Sequence, residues 1–138
     1  MFLVDTNVLA ELRKGARCDP HVARWSGRHP TSAMWISVIT LGEIRKGVEL
    51  VRPRDPSQAA ALEAWLLRVT GAFSGRTLAL DATVADAWGR MNARSQLPAI
   101  DGLLAATASA HGLVLATRNV RDFARAGVAL VNPFEPEP

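Results

Sequence analysis

The chain of 138 residues contains one cysteine, Cys18. A single thiol excludes an internal disulfide and any thiolate-built metal centre, and Cys18 reads as an ordinary thiol near a loop. Long apolar runs are missing as well. The longest stretches, such as Leu103 to Ala106 and Val128 to Val131, fall far short of the ~20 residues that a spanning helix needs. No basic segment followed by a long apolar core and a small-residue cleavage site stands at the N-terminus, so the expected location is cytoplasmic. Lysine is scarce: Lys14 and Lys46 are two of the sixteen cations, and the other fourteen are arginine. There is no internal repeat, low-complexity tract or linker.

What is present suits one compact domain. The length falls in the range of roughly 100–200 residues expected for a single domain, and 49% hydrophobic residues can fill a core. Residues 1–134 are expected to form it, with a short tail at 135–138 and fraying over "PFEPEP". The net charge of +3, carried mostly by guanidinium groups, permits a polyanionic partner without requiring one.

Elements alternate along the chain. Phe2 to Val4 reads as a short buried strand, and Val8, Leu9 and Leu12 recur at helical spacing. Asp19 and Pro20 suit the N-cap and first position of a second short helix. "MWIS" reads as a strand, and Ser37 can cap the helix "VITLGEIRKGVELV". After the break at "RPRDPS", "SQAAALEAWLLRVTGAF" forms a long helix. "RTLAL" is a strand, Asp81 caps the helix "ATVADAWGRMNARS", and "PAIDGLLAATASAHG" is a helix apolar on nearly every face, hence one to be buried. "LVLAT" is a strand, "RNVRDFARAG" a loop with a helical turn, and "VALVNP" the last strand. Strands alternating with helices imply an α/β sandwich around a mainly parallel sheet.

In open α/β sheets the ligand crevice lies at the carboxyl ends of the strands. Asp5, Thr117 and Asn119 stand at such ends. Asp5 can instead be a helix N-cap. Glu43 has two readings: the third position of a capping box that starts at Thr40, or a residue two turns into a helix that starts at Ser37. Asp122 can cap "FARAG". Asp101 is harder to explain structurally. It sits in the first turn of the most apolar helix, no Lys or Arg precedes it within five residues, and dipole stabilisation of roughly 0.3–1 kcal/mol does not offset the several kcal/mol lost when a carboxylate is desolvated.

Asp5, Glu43, Asp101 and Asp122 come from four separate elements. Converging carboxylates repel unless a hard divalent cation lies between them, and oxygen-only ligation favours Mg²⁺ or Mn²⁺ over zinc. Such a cluster performs metal-assisted phosphodiester hydrolysis, in which a metal-activated water replaces a protein nucleophile. Thr6, Asn7, Thr117 and Asn119 are then candidates to orient the acids or the substrate, and Arg118 and Arg121 to hold backbone phosphates.

The segments "LVDTNVLAEL", "ISVITLGEIRKGV", "PAIDGLLAATASAHGLVLATRNVRDF" and "GVALVNPF" resemble the PIN-domain ribonucleases, in particular the VapC-like toxins of type II toxin–antitoxin systems and their FitB-like branch. The match runs in register over nearly the whole chain. It implies a PIN-like three-layer sandwich, with helices on both faces of the sheet, and a Mg²⁺-dependent ribonuclease in which Asp5, Glu43 and Asp101 form the acidic metal site. Where many relatives carry an acid after the last core strand this chain has Asn119, which leaves Asp122 as the fourth carboxylate and puts a second metal in question. The resemblance also implies a homodimer, a small antitoxin whose C-terminal segment blocks the acidic pocket, and operator DNA reached only through that antitoxin.

Other features point elsewhere or nowhere. His21, His29 and His111 lack ligand spacing, and His111 suits a helix C-terminus. Trp25, Trp35 and Trp65 are candidates for a partner groove or for the core. A haloacid-dehalogenase-like phosphatase needs a second aspartate two residues after the first, where this chain has Asn7. A non-enzymatic module that binds antitoxin or RNA remains the functional alternative.

Overall fold

In the computed structural model, which describes residues 1–137, five strands and seven α-helices alternate. The strands are β1 (Phe2–Val4), β2 (Met34–Ser37), β3 (Thr77–Leu78), β4 (Val114–Ala116) and β5 (Leu130–Val131). The helices are α1 (Thr6–Leu12), α2 (Pro20–Arg28), α3 (Val38–Val51), α4 (Pro56–Ala72), α5 (Ala82–Ser95), α6 (Ala99–Ala110) and α7 (Val120–Phe123). The strand order is β3-β2-β1-β4-β5, and every pairing is parallel.

Side chains alternate across the sheet and so build two cores. From β1 and β4, Val4 and Ala116 point to one face and Leu3 and Leu115 to the other. The first face is closed by α1 to α4 through Val8, Val22, Trp25, Ile44, Leu66 and Val69. On the second, Leu97 and the helices α6 and α7 contribute Leu104, Ala105, Ala108 and Phe123. This is the expected three-layer sandwich, with a sheet that is parallel throughout. Trp25 is a core residue, 2% exposed, while Trp35 and Trp65 are half-buried against the two cores, with Arg13 over the Trp65 ring.

Caps set the helix starts. Ser37 Oγ accepts the Ile39 N–H at 3.0 Å, Asp19 accepts from His21 and Val22, and Asp81 accepts the Val84 N–H at 3.0 Å. The long fourth helix begins at Pro56, one residue before the expected serine, because Asp55 caps it by accepting from Gln58. The strand expected over "RTLAL" shortens to two residues, since the chain must leave the sheet for Asp81 to cap α5. Helix α6 is not buried all round: Gly102 and Leu104 to Ala108 are buried, yet Ile100 is 49% exposed. The tail is held rather than frayed as far as Glu137. Phe134 packs on the first core, and the Glu137 carboxylate pairs with Arg28 and His29 of the α2 end. Pro138 lies outside the described residues.

Candidate active site

The sheet order reverses at β1. The chain leaves it toward β2 on one side and returns to β4 on the other, so a crevice opens beyond the carboxyl ends of β1 and β4. Asp5 follows β1 and Thr117 follows β4. The backbone N–H of Asp5 bonds Ala116 O at 2.9 Å, which ties the two ends together.

Asp5 caps α1 and is held by two further side chains. Its Oδ1 accepts the Thr6 N–H at 2.7 Å, while Oδ2 accepts from the Thr117 hydroxyl at 2.8 Å and from Asn7 Nδ2 at 3.3 Å. Thr117 is fully buried, and its oxygen also accepts the Asn119 N–H at 3.1 Å and an Asn7 Nδ2 contact at 3.4 Å. Asn7 Oδ1 accepts the Arg118 N–H at 3.2 Å. A hydroxyl and an amide thus fix both the Asp5 carboxylate and the loop after β4.

The start of α3 at Ser37 decides the two readings of Glu43. No capping box forms; the buried Thr40 hydroxyl has no partner among the described residues. Two turns in, Glu43 reaches Thr6, whose hydroxyl donates to Oε1 at 2.8 Å. Asp101 occupies the first turn of α6 and is half-buried. Asp122 lies inside α7 and does not cap it; Asn119 holds the N-cap position through its backbone alone. Asn119 and Asp122 are both exposed at the mouth. Arg118 lies 4.3 Å over the Phe134 ring, and neither it nor Arg121 pairs with an acid among the described residues.

Electrostatics mark three of the four acids. Burial pushes the Asp5 carboxyl above the usual aspartate range, against the lowering effect of its donors Thr117, Thr6 and Asn7. Glu43 is raised by desolvation and then by the charges of Asp5 and Asp101. Asp101 is raised by desolvation, by Asp5 and by Asp122. Among the described residues none of the four pairs with Lys or Arg. As placed, no three of the described His, Cys, Asp and Glu side chains close around a point that could hold a metal ion. The donor set itself fits a hard cation: carboxylate oxygens that sense one another and form no ion pair among the described residues.

A stability consequence follows. A carboxyl whose folded pKa is raised binds more protons in the folded than in the unfolded state, so its contribution is lost as pH rises from the ordinary range through the folded value. In chelator, Asp101→Asn is therefore expected to melt higher than wild type. The gap should widen as pH rises through that window and close below it, at roughly 4 °C per kcal/mol of relieved repulsion for this chain length. Melting curves across pH check this, and a gap that does not change with pH would contradict it.

Two contributors escaped the sequence reading. Lys46, one turn after Glu43, offsets part of the rise in the Glu43 pKa and lines an open groove of about 480 Å³ with Ile39, Gly42, Gly47, Leu50 and Ile100. Its spacing from Glu43 was the available signal. Phe134, which seats Arg118, had none. Glu11, although buried, serves structure, accepting Lys14 Nζ at 2.9 Å and the Asp19 N–H at 3.0 Å.

A parallel sheet covered on both faces, with acids near its switch point close enough to raise one another's pKa, defines an α/β class in which a ligand crevice opens at the carboxyl ends of the central strands. Residues 2–129 match the PIN domain model, and the chain belongs to that family. It is 32% identical to the VapC ribonuclease Y4jK of Sinorhizobium fredii, over 99% of both chains. It is likewise 32% identical to the toxin FitB of Neisseria gonorrhoeae, over 97% of this chain and 99% of that one. The structure of FitAB bound to an IR36 DNA fragment superposes with a TM-score of 0.90 at 30% identity, covering 100% of this chain and 99% of that chain.

Proposed function

We propose that this chain is the toxin of a type II toxin–antitoxin system and a metal-dependent endoribonuclease. The observation that supports this reading is the mutual influence of separate acids, Asp5 and Asp101 on Glu43 and Asp5 and Asp122 on Asp101, with the carboxyls of Asp5, Glu43 and Asp101 raised in pKa and none of the four in an ion pair among the described residues. Full-length similarity to proteins named VapC ribonuclease and FitB toxin supports it.

Asp5, Asp101, Glu43 and, as the fourth carboxylate, Asp122 would hold Mg²⁺, with Mn²⁺ as a substitute. When bound, such a cation supplies Lewis-acid stabilisation of charge on phosphate oxygens and acidifies a water. The chain's own groups do the rest. Thr117 and Asn7 hold Asp5 Oδ2 in one orientation, and Thr6 holds Glu43 toward the crevice. With its carboxyl deprotonated, each acid is an acceptor only, ready to ligate or to take a proton from water. Arg118, seated on Phe134, and Arg121 stand at the mouth to meet backbone phosphates. Water adds in line to phosphorus and gives a proton to a deprotonated carboxylate as the P–O3′ bond breaks, and the 3′-oxygen takes a proton from solvent and leaves as a hydroxyl.

An antitoxin is the partner. Its C-terminal segment would lie in the groove that runs from Ile100 and Leu50 up to Glu43, and DNA would be reached through the antitoxin. The toxin itself would be a homodimer.

The test is cleavage of total cellular RNA by antitoxin-free protein in Mg²⁺, in Mn²⁺ and with chelator. Discrete fragments that require the metal are expected, and mapping their ends identifies the target RNA. RNA binding that is indifferent to metal, without cleavage, would instead indicate a non-enzymatic module.

A further inference from the structure

The turn that carries Asp101 into the crevice is built by residues outside it. Gln96, which ends α5, is the one non-glycine residue with positive φ among the described residues, at 50°. L side chains enter that region at a cost, so other contacts must fix the turn. They come from Asn92. Its Oδ1 accepts the Leu97 N–H at 2.9 Å and its Nδ2 donates to Leu97 O at 3.1 Å, so one side chain satisfies both backbone groups of Leu97. Leu97 is buried in the second core. Pro98 follows, and its carbonyl accepts the Gly102 N–H at 2.8 Å in the first turn of α6.

Gly102 then returns to the same asparagine. A Cβ at Gly102 would lie 2.9 Å from Trp88 Nε1, 3.0 Å from Asn92 Oδ1 and 3.1 Å from Trp88 Cδ1. The indole is a wedge: its N–H is buried and has no acceptor among the described residues, so it is seated by fit and not by a hydrogen bond. Only a residue without a side chain lets α6 approach α5 this closely. Successive side chains on a helix diverge by about 100°. With Gly102 pressed against α5, Asp101 is turned toward Asp5 and Asp122, whose charges it senses.

We propose that Asn92, Trp88 and Gly102 are positioning residues that set the approach and rotation of the first turn of α6 and thereby aim Asp101 at the metal site. This rests on the reading of Asp101 as a metal ligand. None of the three touches the substrate; they act through Asp101.

The test measures Mn²⁺ binding by calorimetry on the full chain without RNA, alongside kcat and KM for RNA cleavage and the melting temperature. Gly102→Ala and Asn92→Ala are expected to weaken Mn²⁺ binding about tenfold or more and to lower kcat by a similar factor, with KM for RNA within about twofold. Trp88→Leu combined with Gly102→Ala removes one of the two side chains that the added methyl meets, leaving Asn92 Oδ1, and should recover part of the lost affinity. Val69→Ala, in the opposite core, supplies a destabilised control and should bind Mn²⁺ like wild type. Unchanged Mn²⁺ affinity in both Gly102→Ala and Asn92→Ala overturns the proposal, as does an equal loss in Val69→Ala, which would make the effect one of stability alone. Wild-type Mn²⁺ affinity in Asp101→Asn would instead sink the reading of Asp101 itself, and the two failures are distinguishable.

Discussion

Asp101→Asn is expected to reduce RNA cleavage by on the order of 10³-fold or more while leaving the fold intact, because the substitution removes a ligand charge from chemistry in which a cation's stabilisation of the transition state is worth several kcal/mol. Asn keeps the size of the side chain and one oxygen, so packing around the first turn of α6 is undisturbed. The half-buried carboxyl is held up in pKa by desolvation, by Asp5 and by Asp122, and its loss relieves repulsion. Loss of activity should therefore coincide with a melting temperature that is unchanged or higher in chelator. Asp5→Asn should match it in activity but not in stability, since Asp5 also accepts three hydrogen bonds. Retained cleavage by a folded Asp101→Asn protein would falsify the assignment of Asp101 to the metal site.

Thr117→Val should be the next most damaging change, although Thr117 carries no charge. Valine fills nearly the same volume but loses the donor to Asp5 Oδ2 and the acceptor for the Asn119 N–H. Residues that orient ligands in this way typically account for roughly 10–100-fold in affinity or activity. Leaving buried polar groups without partners costs about 1–3 kcal/mol, so the melting temperature should fall as well. The Thr117 bond lowers the Asp5 pKa. Without it the carboxyl rises further, and the acid limb of the pH–activity profile should move to higher pH. Thr117→Ser keeps the hydroxyl and should restore activity and profile; if valine and serine behave alike, the hydrogen bond is not what matters at this position.

Much of this arrangement is written in local sequence. The helix over Val38–Val51 is legible because Ser37 precedes an apolar set at helical spacing, and Asp81 and Asp19 announce their helices in the same way. Asp101 could be singled out because a carboxylate in an apolar first turn needs an explanation that its own segment does not supply. Glu43 could not be decided so. Both of its readings satisfy local rules, and the choice is made by Thr6, thirty-seven positions away. Asp122 is similar: its segment permits a cap, and only the packing of α7 beside β5, with Phe123 in the core that α6 shares, brings its charge to bear on Asp101. The anchored tail was also invisible, because "PFEPEP" reads as a frayed end until Glu137 meets Arg28 and His29. What sequence cannot convey here is partnership between distant segments, which is where the orientation of the site is decided.

The most direct test of the central claim is Mn²⁺ located in a crystal by its anomalous scattering. The account predicts a peak in the crevice between Asp5 and Asp101, ligated by carboxylate oxygens of both, and its disappearance in Asp101→Asn. A strong peak elsewhere, or none at this crevice at a Mn²⁺ concentration that supports cleavage by the same preparation, would contradict it.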